Sequence, residues 1–269
     1  MPARIWKRIS WHPKAEPSYA KYKISRITHH ASRITHHVSK LMPRPKLDRR
    51  TQARLLKIAT HVGALLPLAL LLWDYWFYLL GPNPIQEITL RTGKPALVLL
   101  VLSLACTPLN TLLGWKQLLP LRRPLGLYAF FYVCLHLLIF VWLDYGLDPA
   151  LIREGILEKR YALAGFTAFL LLLPLALTST KWAMRKLGKN WKRLHRLVYV
   201  AVVLAIIHYL WLVKSITTQP LVFAAIVAAL LLLRAGPIKQ RVLRWRRSLA
   251  RKGTKPSFSS PKQTSEAGD

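Results

Sequence analysis

Between residues 55 and 235 the chain alternates long apolar stretches with short polar connections. Apolar runs of about 18 residues or more, nearly free of charge, read as membrane-spanning helices. Six are predicted: 58–80, 95–113, 124–143, 161–180, 191–213 and 220–233, the last being the shortest. Gly81-Pro82-Asn83-Pro84 stops the first. Pro108 predicts a kink or frayed end in the second, and Pro174 a kink in the fourth. The expected fold is all-α, a polytopic six-helix transmembrane bundle.

Charge sharpens this picture. Of 269 residues 53% are hydrophobic, yet the formal net charge is +31. The two properties are segregated: residues 1–57 hold fifteen Lys or Arg against Glu16 and Asp48, and residues 234–269 hold ten against Glu266 and Asp269. Three regions follow: a basic extension, 1–54, expected to be disordered; a six-span domain, 55–235; and a basic polar tail, 236–269. Translation from Met42 is the plainer alternative for the front, where no apolar signal segment precedes residue 55. The extension repeats seven residues, Ser25-Arg26-Ile27-Thr28-His29-His30-Ala31 then Ser32-Arg33-Ile34-Thr35-His36-His37-Val38; a solvated basic tail is favoured over metal binding. Because the cations flank spans instead of lining a basic face, lipid and topology explain them better than nucleic acid.

Loop charge sets orientation. Lys116, Arg122 and Arg123 join the second span to the third, and Lys181, Arg185, Lys186, Lys189, Lys192 and Arg193 the fourth to the fifth. Basic loops stay cytoplasmic, so both termini are expected there. Trp and Tyr near span ends read as an interfacial belt. Cys106 and Cys134 lie in apolar runs without a CxxC or zinc spacing and read as small hydrophobes.

Histidine is the candidate chemistry. His61, His136, His195 and His208 lie in or beside spans, where an imidazole must satisfy both nitrogens or bear the cost of leaving them unpaired. A bond to haem iron plus one hydrogen bond does so. The third and fifth spans run in the same direction. His136 follows Arg122 by 14 residues and His208 follows His195 by 13, roughly 20 Å in each case. His136 and His208 are therefore expected at one depth toward the periplasm, gripping a b-type haem. His195 sits near the cytoplasmic side, level with Arg122 and Arg123, where ligand and interfacial roles are evenly balanced. Thirteen residues leave His195 and His208 on faces roughly 140° apart, so both cannot meet one neighbour squarely. His61, without a partner at its level, is read as a hydrogen-bonding residue, and Asp74 as a capped or paired group. The rival readings are a haem-free transporter and an assembly factor with structural histidines.

The stretches Arg122-Arg123-Pro124-Leu125-Gly126-Leu127-Tyr128, continuing to His136, Leu173-Pro174-Leu175-Ala176-Leu177-Thr178-Ser179-Thr180, Trp191-Lys192-Arg193-Leu194-His195-Arg196-Leu197-Val198-Tyr199 and His208-Tyr209-Leu210-Trp211 together resemble the MsrQ (YedZ) family. Asn83-Pro84 and Thr92-Gly93, placed in the first loop, fit as well. The resemblance covers about residues 55–233. It implies a ferric-reductase-like transmembrane fold and a haem b subunit, with one haem or two. It further implies delivery of electrons from the quinone pool to MsrP, a periplasmic molybdenum-cofactor methionine sulfoxide reductase. FMN enters by resemblance only. His136, His195 and His208 match the family's haem-associated histidines. Where the wider superfamily has a second histidine on the third span, this chain has Arg122. Arg122 and Arg123 could meet haem propionates, a quinone or an FMN phosphate, or serve as topology anchors. No GxGxxG or P-loop appears, so reducing equivalents are expected from membrane quinol or a separate cytoplasmic flavin reductase.

Overall fold

The computed structural model describes residues 48–213, 218–236, 238 and 240–244. The seven-residue repeat, Met42 and the chain beyond Gly253 lie outside the described residues. The chain divides into two units, Met1–Gln52 and Ala53–Asp269. Of the first, only the residues that open the first helix are described. Apart from residues 49–52, everything below belongs to the second.

All regular elements are helical, and no strand occurs among the described residues. They are α1 (Arg49–Trp76), α2 (Pro84–Leu113), a 3-10 turn (Lys116–Leu121), α3 (Arg122–Ile139) continued by a π turn (Phe140–Asp144), α4 (Pro149–Glu158), α5 (Arg160–Leu177), α6 (Lys181–Leu187), α7 (Lys189–Leu194), α8 (Leu197–Leu212) and α9 (Thr218–Leu232). Five stretches are long and apolar enough to cross a membrane: Arg50–Trp76, Pro84–Leu113, Lys116–Asp144, Arg160–Leu177 and Lys189–Leu212. The sixth predicted span corresponds to α9. Its fifteen residues reach about 22 Å, short of a hydrocarbon core of about 30 Å.

Several predicted boundaries move, each for a local reason. The second span starts at Pro84, not residue 95: Pro84 occupies the first turn and Asn83 caps it, accepting from the Gln86 N–H at 3.2 Å. Thr92 and Gly93, expected in a loop, are therefore helical. The predicted loop between the third and fourth spans contains α4, whose cap Asp148 accepts from Ala150 at 2.8 Å and Leu151 at 3.3 Å. The fifth span is interrupted at His195-Arg196, which form a turn between α7 and α8.

Two helix pairs dominate the packing, α2 with α3 and α5 with α8; α3 also touches α5, and α2 touches α8. α1 leans on α3 through one polar device. Pro67 leaves α1 without an N–H at that position. One residue on, the Tyr132 hydroxyl enters the ladder, donating to the Ala64 carbonyl at 2.8 Å and accepting from the Leu68 N–H at 3.1 Å. Tyr132 is fully buried. Asp74 at the end of α1 pairs with Arg91, which also meets Glu87 at 2.6 Å. His61 pairs with the Tyr128 hydroxyl at 2.8 Å.

Candidate haem chamber and the opposite end of the bundle

Each of the two helix pairs presents one histidine over one glycine. On α3, His136 lies against Gly93 of α2, where an added Cβ would stand 3.1 Å from Cε1 and 3.2 Å from Nδ1. On α8, His208 lies against Gly165 of α5, where a Cβ would stand 2.7 Å from Nδ1. Small residues allow this approach: Ala162, Ala164 and Ala168 are buried on the same helix as Gly165.

Carbonyls then orient the rings. His136 Nδ1 lies 3.0 Å from the Thr89 carbonyl and 3.4 Å from the Thr92 hydroxyl. His208 Nδ1 lies 2.7 Å from the Tyr161 carbonyl. A carbonyl only accepts, so both Nδ1 atoms carry the proton and both Nε2 atoms keep a lone pair. Metal-bound histidines are commonly oriented in this way, through the other ring nitrogen. The ring centroids stand 6.1 Å apart with planes at 86°. One metal between two imidazoles, with bonds of about 2 Å, puts the centroids roughly 6 Å apart.

Both rings line a cavity of about 540 Å³ whose other walls are largely apolar, including Leu97, Leu100, Phe169 and Leu172. Its charged lining residues are Lys94, Asp144 and Lys159. The π turn after α3 brings Phe140 and Asp144 to this lining, with Tyr145 directly after. Tyr145 packs against Phe140 at 4.7 Å, and its hydroxyl accepts from Lys159 Nζ at 2.8 Å. That hydrogen bond holds the Lys159 ammonium above its ordinary pKa. No group of three or more His, Cys, Asp or Glu that could hold a metal occurs among the described residues. Two opposed imidazoles above an apolar slot suit a porphyrin's iron, whose remaining four ligands come from the macrocycle.

His195 lies elsewhere. It ends α7, stacks on Trp191 at 4.0 Å between centroids, and its Nδ1 lies 3.2 Å from the Trp191 carbonyl. Trp191 in turn donates to the Thr178 carbonyl at 3.0 Å. Arg122 lies within electrostatic reach of His195, and Arg123 is exposed. None of the three lines the chamber. The structure thus brings His136 and His208 together and leaves His195, Arg122 and Arg123 at the opposite end.

Sequence reasoning passed over Gly165, Thr89, Tyr161, Lys94 and Lys159. The alanine and glycine spacing around Gly165 was the available signal. Nothing in a sequence marks a backbone carbonyl as a histidine's partner.

Residues 92–206 match the family described as ferric reductase like transmembrane component. The chain is 44% identical over 214 residues to the protein-methionine-sulfoxide reductase heme-binding subunit MsrQ of Xanthomonas campestris pv. campestris (strain 8004), covering 77% of this chain and 94% of that protein. It is 46% identical over 192 residues to the protein of the same name from Rhodospirillum rubrum, covering 70% and 91%. No solved structure matches it.

Proposed function

Because this chain belongs to the MsrQ family of ferric-reductase-like transmembrane proteins, we propose that it is a haem b electron-transfer subunit with His136 and His208 as axial ligands. The observation that carries the reading is the pair of imidazoles 6.1 Å apart, each with its Nδ1 against a carbonyl. The bound haem supplies one-electron chemistry. The chain's own part is to orient the rings, exclude water with an apolar wall and present the site from rigid helices.

In this reading electrons enter near His195 and Arg122 and pass toward the periplasm, where the haem that His136 and His208 would hold would supply the one-electron carrier, in a bacterial inner membrane with cytoplasmic termini. The electron source is membrane quinol or a cytoplasmic flavin reductase, and the acceptor is a periplasmic molybdenum-cofactor methionine sulfoxide reductase of the MsrP type. Arg122 and Arg123 face an anionic group there, such as a second haem's propionates, a quinone or an FMN phosphate. Flavin fluorescence released from purified protein tests FMN directly.

The central test is a reduced-minus-oxidised absorption spectrum of detergent-purified protein. An α-band of b type is expected, and His136→Ala and His208→Ala should each abolish the same component. A spectrum left intact by either change would overturn the assignment.

A further inference from the structure

The axial histidines account for the iron but not for the two carboxylates that a b-type haem carries at one edge. Buried in an apolar slot, each would bear a desolvation cost unless it met a cation. Among the described residues the chamber's charged lining is limited to Lys94, Lys159 and Asp144. Lys94 follows Gly93, the residue on which His136 rests. Lys159 precedes by two positions Tyr161, whose carbonyl lies against the His208 Nδ1. One lysine therefore stands beside the support of each imidazole. The ion pairs of the described residues are those of Arg91 with Asp74 and Glu87, and neither lysine takes part in them.

We infer that Lys94 and Lys159 are the anchors of the haem propionates in the chamber, one lysine to each carboxylate. The inference rests on the haem reading above. Charge supports it. A ferric haem with two imidazoles and both propionates ionised carries one net negative charge. Two lysines and Asp144 give the described lining one net positive charge. Tyr145 accepts from Lys159 and packs tightly on Gly155, which presets that ammonium without neutralising it. Arg122 and Arg123, whose chemistry also suits propionates, do not line this chamber.

The alternative source of anionic oxygen is a lipid phosphate, and the experiment separates the two. The full chain is made in cells unable to synthesise haem, and its membranes are titrated with haemin or with haemin dimethyl ester, which lacks both carboxylates. The readout is the low-spin absorption band. Wild type should take haemin about tenfold more tightly than the diester, as charge-assisted hydrogen bonds at a partly wet site imply. With Lys94→Met and Lys159→Met combined, both porphyrins should bind alike, near the wild-type affinity for the diester. Lys94→Arg with Lys159→Arg should restore the preference, which shows that the Met variant's loss is one of charge and not of folding. A Met variant that keeps the tenfold preference overturns the inference. So does a wild type without any preference, the result expected if the lysines serve lipid. A wild type that forms no low-spin band with either porphyrin would instead refute the haem reading.

Discussion

The two ends of the bundle treat histidine in opposite ways. In the chamber, His136 and His208 place Nδ1 against carbonyls of neighbouring helical segments, those of Thr89 and Tyr161, and keep Nε2 free over a cavity. At the other end, His195 stacks on Trp191 and sets its Nδ1 against the same residue's carbonyl. The chamber histidines are held by other helices and stand beside each other, with ring centroids 6.1 Å apart. His195 is held by its own turn and by the Leu175 backbone of α5, and no other histidine stands against it among the described residues. Around it the polar work is done by Arg234, which donates to the Tyr199 hydroxyl at 2.6 Å and to the Leu104 carbonyl. These bonds tie the end of α9 to α8 and α2, and burial lowers the pKa of that guanidinium. A histidine near a span is thus a ligand candidate where a carbonyl holds one ring nitrogen and a second histidine stands across a cavity from it.

The largest expected effect breaks the comparison outright. His208→Ala should remove the chamber haem's α-band, whereas His195→Ala should leave that band at wild-type intensity. Equal losses would erase the distinction between the ends.

Next come the glycines. Gly165→Ala places a methyl 2.7 Å from His208 Nδ1, and the Tyr161 segment leaves that ring little room to retreat. Overpacking of this kind costs about 1–3 kcal/mol, or roughly five- to 150-fold in haem affinity. Gly93→Ala, with its nearest atom at 3.1 Å, should lose less. Haem titration of the two variants gives the order. The ferric protein sharpens the test, because axial imidazoles near 86° give a strongly anisotropic low-spin electron paramagnetic resonance signal. Gly165→Ala should turn the ring and move that signal.

A smaller effect concerns stability alone. Tyr132→Phe removes the hydroxyl that bridges the Leu68 N–H and the Ala64 carbonyl beside Pro67. That should cost about 1–3 kcal/mol and lower the midpoint of thermal unfolding in detergent, with the α-band maximum unmoved below the transition. Smallest of all, Asp74→Asn weakens a partly exposed pair with Arg91 and should cost no more than about 1 kcal/mol in the same melt.

Much of the fold was legible because lipid imposes a one-dimensional rule: a crossing helix must be long and apolar, whatever packs beside it. Hence spans three and four were placed within a few residues of their helices. Capping chemistry carries further information. Asn83-Pro84 is a helix start as well as a loop signal, and reading it so would have put Thr92 and Gly93 on the helix that supports His136.

The sequence by itself determined the apolar spans, the segregation of charge and the common depth of His136 and His208, since depth depends only on residue count and direction along a helix. Tertiary structure decided which faces those residues present. The turn at His195-Arg196 resets the rotation between His195 and His208, and a count of residues at 100° each does not carry across it. The meeting also required two glycines and two carbonyls contributed by other segments, and a pairwise meeting of that kind is written in no single stretch of chain.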